Sequence, residues 1–171
     1  TISWTVDDDN PDSVAVTSNG FFWIRAEDTH TFTLGDGDHM LQVRATDLAG
    51  NINVSVVNIT VDTRPPVMEI SSPGDGDHLD DGDVHMSFNV TDTDLQDVQV
   101  SLDGVSWESP DAGDGHTFIG LDDGVVTLYL RAADRAGNVN ITSVSVTVDT
   151  VAPAVTITSP APCHILNVRD A

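Results

Sequence analysis

Apolar and polar residues alternate with a period of two along most of this chain. Met68 and Ile70 alternate with Glu69 and Ser71. Val84, Met86, Phe88 and Val90 alternate with His85, Ser87 and Asn89. Val98, Val100 and Leu102 follow the same rule, as do Val126, Leu128, Leu130 and Ala132, and then Val144, Val146 and Val148. Phe118 and Leu121 fall in a shorter run. Period two is the signature of strands with one face buried. Turn-forming clusters separate the runs: Pro73-Gly-Asp-Gly76, Asp103-Gly104, Asp122-Asp-Gly124 and Arg135-Ala-Gly137. No stretch carries helical periodicity of useful length. The pattern predicts an all-β protein, with about seven short strands per unit folded as a two-sheet antiparallel sandwich. Met86, Phe88, Val100, Val126, Leu128, Leu130, Val144 and Val146 are the predicted core.

The pattern also repeats. Asp47-Leu-Ala-Gly-Asn51 returns as Asp134-Arg-Ala-Gly-Asn138, and Val61-Asp-Thr63 returns as Val148-Asp-Thr150, both 87 residues on. Ile2-Ser-Trp-Thr-Val6 matches Met86-Ser-Phe-Asn-Val90 at an offset of 84, which holds to Trp23 and Trp107 before small loop insertions. A fixed period means one folding unit used repeatedly. Residues 1–63 thus correspond to a repeat without its first strand, 64–150 to a complete repeat, and 151–171 to the opening strand of a third. Ala152-Pro-Ala-Val-Thr-Ile-Thr-Ser-Pro160 matches Pro65-Pro-Val-Met-Glu-Ile-Ser-Ser-Pro73. A unit of this size buries roughly 60–65% of its unfolded surface, enough for a thin two-layer core.

Composition narrows the partners. Among 171 residues there are 6 basic and 28 acidic side chains, a net charge of −22. Every basic residue is Arg, and every acid except Glu27, Glu69 and Glu108 is Asp. Such a surface repels nucleic acid and anionic membrane, and either keeps the protein soluble in high salt or attracts divalent cations. Asp in place of Glu suits turns and metal loops, where a short side chain caps backbone or ligates. Cys163 is the single cysteine, so no intrachain disulfide is expected. No apolar run is long enough to span a bilayer, and the start at Thr1 reads as a piece of a longer protein.

Ser101-Leu-Asp-Gly104 with Trp107, the Leu121-Asp-Asp-Gly124 corner, Leu130 to Asn138, and Val148-Asp-Thr150 with Pro153 together resemble the immunoglobulin-like repeats of prokaryotic surface proteins. These are similar to fibronectin type III and cadherin-like sandwiches. The resemblance covers nearly the whole chain. It implies tandem Ig-like sandwiches, an extracellular or cell-surface location, and a non-catalytic spacer or adhesion rod. The alternatives are a glycan- or protein-binding module, or an accessory domain of a secreted enzyme, since such repeats serve all three. Where antibody domains carry the inter-sheet cysteine, this chain has Val43 or Leu130.

The Asp-x-Ala-Gly-Asn turns have two readings. As hairpin loops, Gly50 and Gly137 supply positive φ while Asp47 and Asp134 accept backbone N–H bonds. As calcium sites, Asp47, Asn51 and Asp62, and again Asp134, Asn138 and Asp149, lie near repeat ends beside Pro-stiffened linkers such as Thr63-Arg-Pro-Pro66, and by analogy with cadherin-like rods would stiffen them. Calcium is the one cofactor implied. Asp92, Asp94 and Asp97 form a weaker acidic loop, and Asp8 aligns with Asp92.

The six histidines form no paired ligand pattern, and His39, aligned with Val126, is expected at a strand corner. No nucleophile elbow is present, and the chain reads as non-enzymatic. Trp23 and Trp107 recur at one position, which favours packing over sugar stacking. Four sequons occur, at Asn53, Asn58, Asn89 and Asn140, with Asn89 on the outward side of its strand. The partners expected are neighbouring repeats, a cell-surface glycan or protein, and a second copy in head-to-tail self-association; neither nucleic acid nor membrane insertion of this segment is expected.

Overall fold

Thirteen strands account for the regular structure of residues 1–159, the part that the computed structural model describes. Residues 160–171, with Cys163 and His164, lie outside the described residues. By contact the chain forms two compact units. One comprises Thr1–Val67 with Thr91–Asp97 and Ala132–Asn140; the other comprises Met68–Val90, Val98–Arg131 and the chain from Ile141 onward.

The first unit holds β1 (Ile2–Ser3), β2 (Pro11–Thr17), β3 (Ile24–Arg25), β4 (Thr29–His30), β5 (Gly37–Asp47) and β6 (Ile52–Val61). One sheet runs β3-β2-β5-β6 and a second pairs β1 with β4. β5 and β6 form the longest hairpin, in register from Gly37↔Val61 to Thr46↔Ile52.

The remaining strands are β7 (Val67–Ser72), β8 (His78–Leu79), β9 (Val84–Thr91), β10 (Leu95–Ser101), β11 (Gly115–Phe118), β12 (Gly124–Asp134) and β13 (Val139–Val148); most of each belongs to the second unit, while Val67, Thr91, Leu95–Asp97, Ala132–Asp134 and Val139–Asn140 at their ends belong to the first. These are the seven strands expected of a complete repeat. They form sheets β10-β12-β13-β8 and β11-β9-β7. Between the sheets lies a core of Val84, Met86, Phe88, Val100, Phe118, Leu128, Leu130 and Val148. Burying each large side chain here contributes roughly 1.5–3 kcal/mol.

Six of the eight predicted core residues are buried. Val126 and Val144 are only half-buried and pack against the rim of the core.

One pairing departs from the antiparallel expectation: β8 runs parallel to β13, with Thr147↔His78 and Val148↔Leu79. The segment is too short to show periodicity. It is held through the preceding turn, where Gly76 N–H donates to Ser145 O at 2.7 Å and Ser145 N–H to the Asp75 carboxylate at 2.9 Å. Among the described residues no helix is long and apolar enough to cross a membrane.

The two repeats share their turns as well as their strands. Thr17 and Asn19 make the same hydrogen-bond set as Ser101 and Asp103: a hydroxyl caps two backbone N–H groups, and the next acceptor takes two more. The bonds from the Ser106 and Val105 backbone hold the Asp103 carboxyl well below the usual carboxylate range.

Candidate acidic cation site

Strand periodicity delivers the central carboxylate. On β12 the inward-facing residues are Leu128, Leu130, Ala132 and then Asp134, each fully buried. The strand thus carries an acid on the face that otherwise holds its core. The following turn closes on it. Gly137 sits at φ 93°, a left-handed conformation that favours glycine, and lets Asn138 fold back. Asn138 N–H donates to Asp134 Oδ1 at 2.9 Å, and its amide NH2 donates to Asp134 Oδ2 at 2.8 Å.

Two further carboxylates converge on this one. Asp62 follows β6, and Asp92 lies in the turn that connects β9 in one sheet to β10 in the other. One oxygen from each of Asp62, Asp92 and Asp134 lies within 4.8 Å of the others. All three belong to the first compact unit. Among the described residues, none of the three pairs with an arginine. Burial is the largest influence on Asp134 and pushes its pKa up. The bonds from Asn138, Gly137 and Ala136 together outweigh it, so its carboxyl is held below the ordinary aspartate range. A fully buried, ionised carboxylate therefore faces two other acids.

The donor set is oxygen only. That suits a hard divalent cation, calcium or magnesium, and disfavours zinc, which prefers nitrogen and sulfur. Three carboxylates are fewer than the six to eight oxygens calcium takes, so carbonyls or water would complete the shell.

Asn138 has a different part in this arrangement. Its NH2 faces the Asp134 carboxylate, the Asp62 carbonyl at 3.1 Å and the Arg64 carbonyl at 3.5 Å. All three partners are acceptors, which fixes the amide orientation. Asn138 is thus a brace that ties the 62–64 segment to Asp134. Asn140 adds a second brace, donating to Pro66 O at 2.9 Å. The sequon at Asn140 therefore uses the nitrogen that a glycan would need.

The other predicted site residues stand apart from this cluster. Asp47 accepts from Asn51 N–H at 2.8 Å and Asn51 Nδ2 at 2.7 Å, and these bonds, the side-chain one foremost, hold its carboxyl low. It lines one shallow cleft together with Asp8. Asp149 is exposed; its backbone N–H donates to Leu79 O, and its carboxylate accepts from Val151 N–H. The ten residues of β13 separate it from Asn138. Asp92, read from sequence as part of a loop with Asp94 and Asp97, joins Asp62 and Asp134 instead. Its alignment with Asp8 was the available signal, since two repeats place an acid in the same connection between sheets. Both acids also cap the backbone two residues on, at Asn10 and Asp94.

His116 is buried on β11. Its ring packs edge-on against Phe118 at 4.6 Å and lies 3.4 Å from both Glu108 and Asp111. His30 and Phe32 repeat the same edge contact at 4.6 Å. These histidines are packing residues of equivalent strands. His39 binds Gly35 O at 2.7 Å, at the start of β5. Trp23 and Trp107 are half-buried; the guanidinium of Arg44 lies 4.4 Å over Trp23 and that of Arg131 lies 6.0 Å from Trp107. The exposed aromatics are instead Phe21 and Phe22, at 84% and 78% exposure.

No protein-family model and no curated protein matches the chain. Among solved structures it is similar to the fibronectin(III)-like modules of Clostridium thermocellum CbhA, with 18% identity, 84% of this chain and 82% of that chain covered, and a TM-score of 0.49. It is also similar to a tetra-tandem repeat in the extending region of a large adhesion protein, with 20% identity, 85% of this chain covered and a TM-score of 0.36. The match spans 43% of that second chain.

Proposed function

We propose that this chain is a non-catalytic segment of an extracellular surface protein, in which tandem sandwich repeats space or present another part. The repeat borders lie at 63/64 and 150/151. At the first border Asp62, Asp92 and Asp134 take up calcium and fix the Thr63-Arg-Pro-Pro66 segment. The observation that carries this reading is the convergence of one carboxylate oxygen each from Asp62, Asp92 and the fully buried Asp134 within 4.8 Å of one another, an all-oxygen grouping suited to a hard divalent cation. Calorimetric titration tests it. Extracellular calcium modules bind at roughly 10⁻⁴–10⁻³ M, and saturation at 100 times Kd raises stability by about 2.7 kcal/mol. The wild-type chain is expected to give heat and a gain in melting temperature, and Asp92→Asn to lose both. Absence of heat and of thermal gain with the wild type reduces the cluster to plain turns.

A second reading rests on Phe21 and Phe22. Exposed neighbouring aromatics on a turn are a contact surface for a sugar face or a partner protein. On this reading the chain binds a glycan on an array, and Phe21→Ser with Phe22→Ser abolishes the signal. An array blank for the wild type removes the glycan form of the reading.

A further inference from the structure

Four Asn-x-Ser/Thr sequons lie on strands of this protein, and their side chains are engaged to different degrees. At Asn140 the amide NH2 is half-buried and donates to Pro66 O at 2.9 Å. Asn53 occupies the same position in the repeat, 87 residues earlier. It stands opposite Ala45, and Ser55 opposite Val43, on the face of the sheet that carries the buried Leu41. At Asn58 the hydroxyl of the motif is taken, since Thr60 Oγ1 donates to Asp38 Oδ1 at 2.7 Å.

Asn89-Val90-Thr91 differs on each count. It ends β9, where Phe88 is buried and both Asn89 and Thr91 are exposed. Residues two apart on a strand project from one face, so the amide and the hydroxyl stand side by side toward solvent. Among the described residues neither side chain has a hydrogen-bond partner; the nearest side-chain bonds in sequence belong to Ser87 O, with Ser71, and to Asp92, with Asp94 N–H. Nor does the fold call for asparagine here. The repeat places Thr5 at the equivalent position, whereas asparagine recurs at Asn53 and Asn140, where one copy braces the backbone.

We propose that Asn89 is an N-glycan acceptor, modified on the folded chain, with Thr91 as the hydroxyl that completes the motif. The co-reactant is an oligosaccharide carried on a polyprenyl diphosphate and delivered by a separate transferase. The amide nitrogen of Asn89 forms a bond to the anomeric carbon as the bond from that carbon to the phosphate oxygen breaks. The lipid diphosphate leaves, and the amide gives up one proton to a base of the transferase; nothing is oxidised or reduced. The glycan would project from the outer face of β9, opposite the face on which Met86 and Phe88 join the core. The proposal rests on the extracellular reading above, because sequons are used in secreted proteins. It is independent of the cation.

The test is made in a purified system, so its failure bears on the acceptor and not on where the protein resides. The full folded chain, from cells without N-glycosylation, is incubated with a polyprenyl-diphosphate oligosaccharide and an oligosaccharyltransferase selected because it modifies a free peptide of residues 86–94. Glycopeptide mass spectrometry is expected to find the glycan on Asn89 of the folded chain and to find Asn140 unmodified. Asn89→Gln and Thr91→Val should each abolish the glycan at this position. Both should leave the melting temperature unchanged, since neither side chain is bonded. Thr91→Ser, which keeps a hydroxyl, should retain the glycan. A folded chain left unmodified at Asn89 by an enzyme that modifies the peptide overturns the proposal. Equal occupancy of Asn89 and Asn140 on the folded chain overturns it as well, because a free side chain is then not what selects the acceptor.

Discussion

Asp134 is an acid on the inward face of a strand, and the turn after it determines what that means. Without the bonds from Asn138 the carboxyl would resist ionisation, because burial alone raises its pKa. With them its pKa is lowered, so its contribution to stability has a defined sign. The group is ionised in the folded state at pH values where the unfolded chain has begun to take up the proton. Its stabilising effect is complete above the ordinary aspartate value of about 3.9 and is lost as pH falls through the lower folded value. Asp134→Asn isolates this effect, since an amide at this position turns an NH2 toward the NH2 of Asn138. In urea melts with a chelator present, the wild type should exceed the variant most at neutral pH. The gap should narrow as pH drops below about 4. A gap independent of pH would show that the charge on Asp134 is immaterial and only its shape counts.

The strands were legible because sandwich strands carry their own signal. β12 reads directly as Val126, Leu128, Leu130 and Ala132 alternating with Thr127, Tyr129 and Arg131, and its twin β5 confirms the register by repetition. β8 was not legible: two residues cannot show a period, and its parallel pairing depends on the Asp75-Gly76-Asp77 turn reaching Ser145 and Thr147. The hairpin acids were legible as turn residues, with Gly50 and Gly137 in the left-handed region as expected. Which acids meet was not legible. Asp62, Asp92 and Asp134 are far apart in sequence, and the Asp-x-Ala-Gly-Asn motif draws attention to Asn138, which spends its amide as a donor. The Phe21-Phe22 turn illustrates the same limit. It aligns with Val105-Ser106, both turns use the same backbone bonds, and only the fold shows the two rings standing in solvent.

At the scale of the molecule, charge sets the conditions under which these elements hold together. A net charge of −22 over 171 residues, with six arginines to offset it, makes the folded chain repel itself. Unfolding moves those charges apart, so repulsion favours the unfolded state. The Debye length falls from roughly 30 Å at 0.01 M salt to roughly 3 Å at 1 M, so added salt removes most of the repulsion between exposed acids. Melting temperature should therefore rise steadily with sodium chloride at neutral pH, in contrast to a protein stabilised by surface ion pairs. Arg64 with Asp36 is such a pair here, but exposed pairs of this kind contribute about 0–1 kcal/mol, too little to reverse the trend. Calcium at matched ionic strength separates the general effect from the specific one. Screening acts alike in the wild type and in Asp92→Asn, whereas ligation adds a further rise in the wild type alone. A melting temperature that stays flat or falls between low and molar sodium chloride would mean that self-repulsion is not what limits this fold.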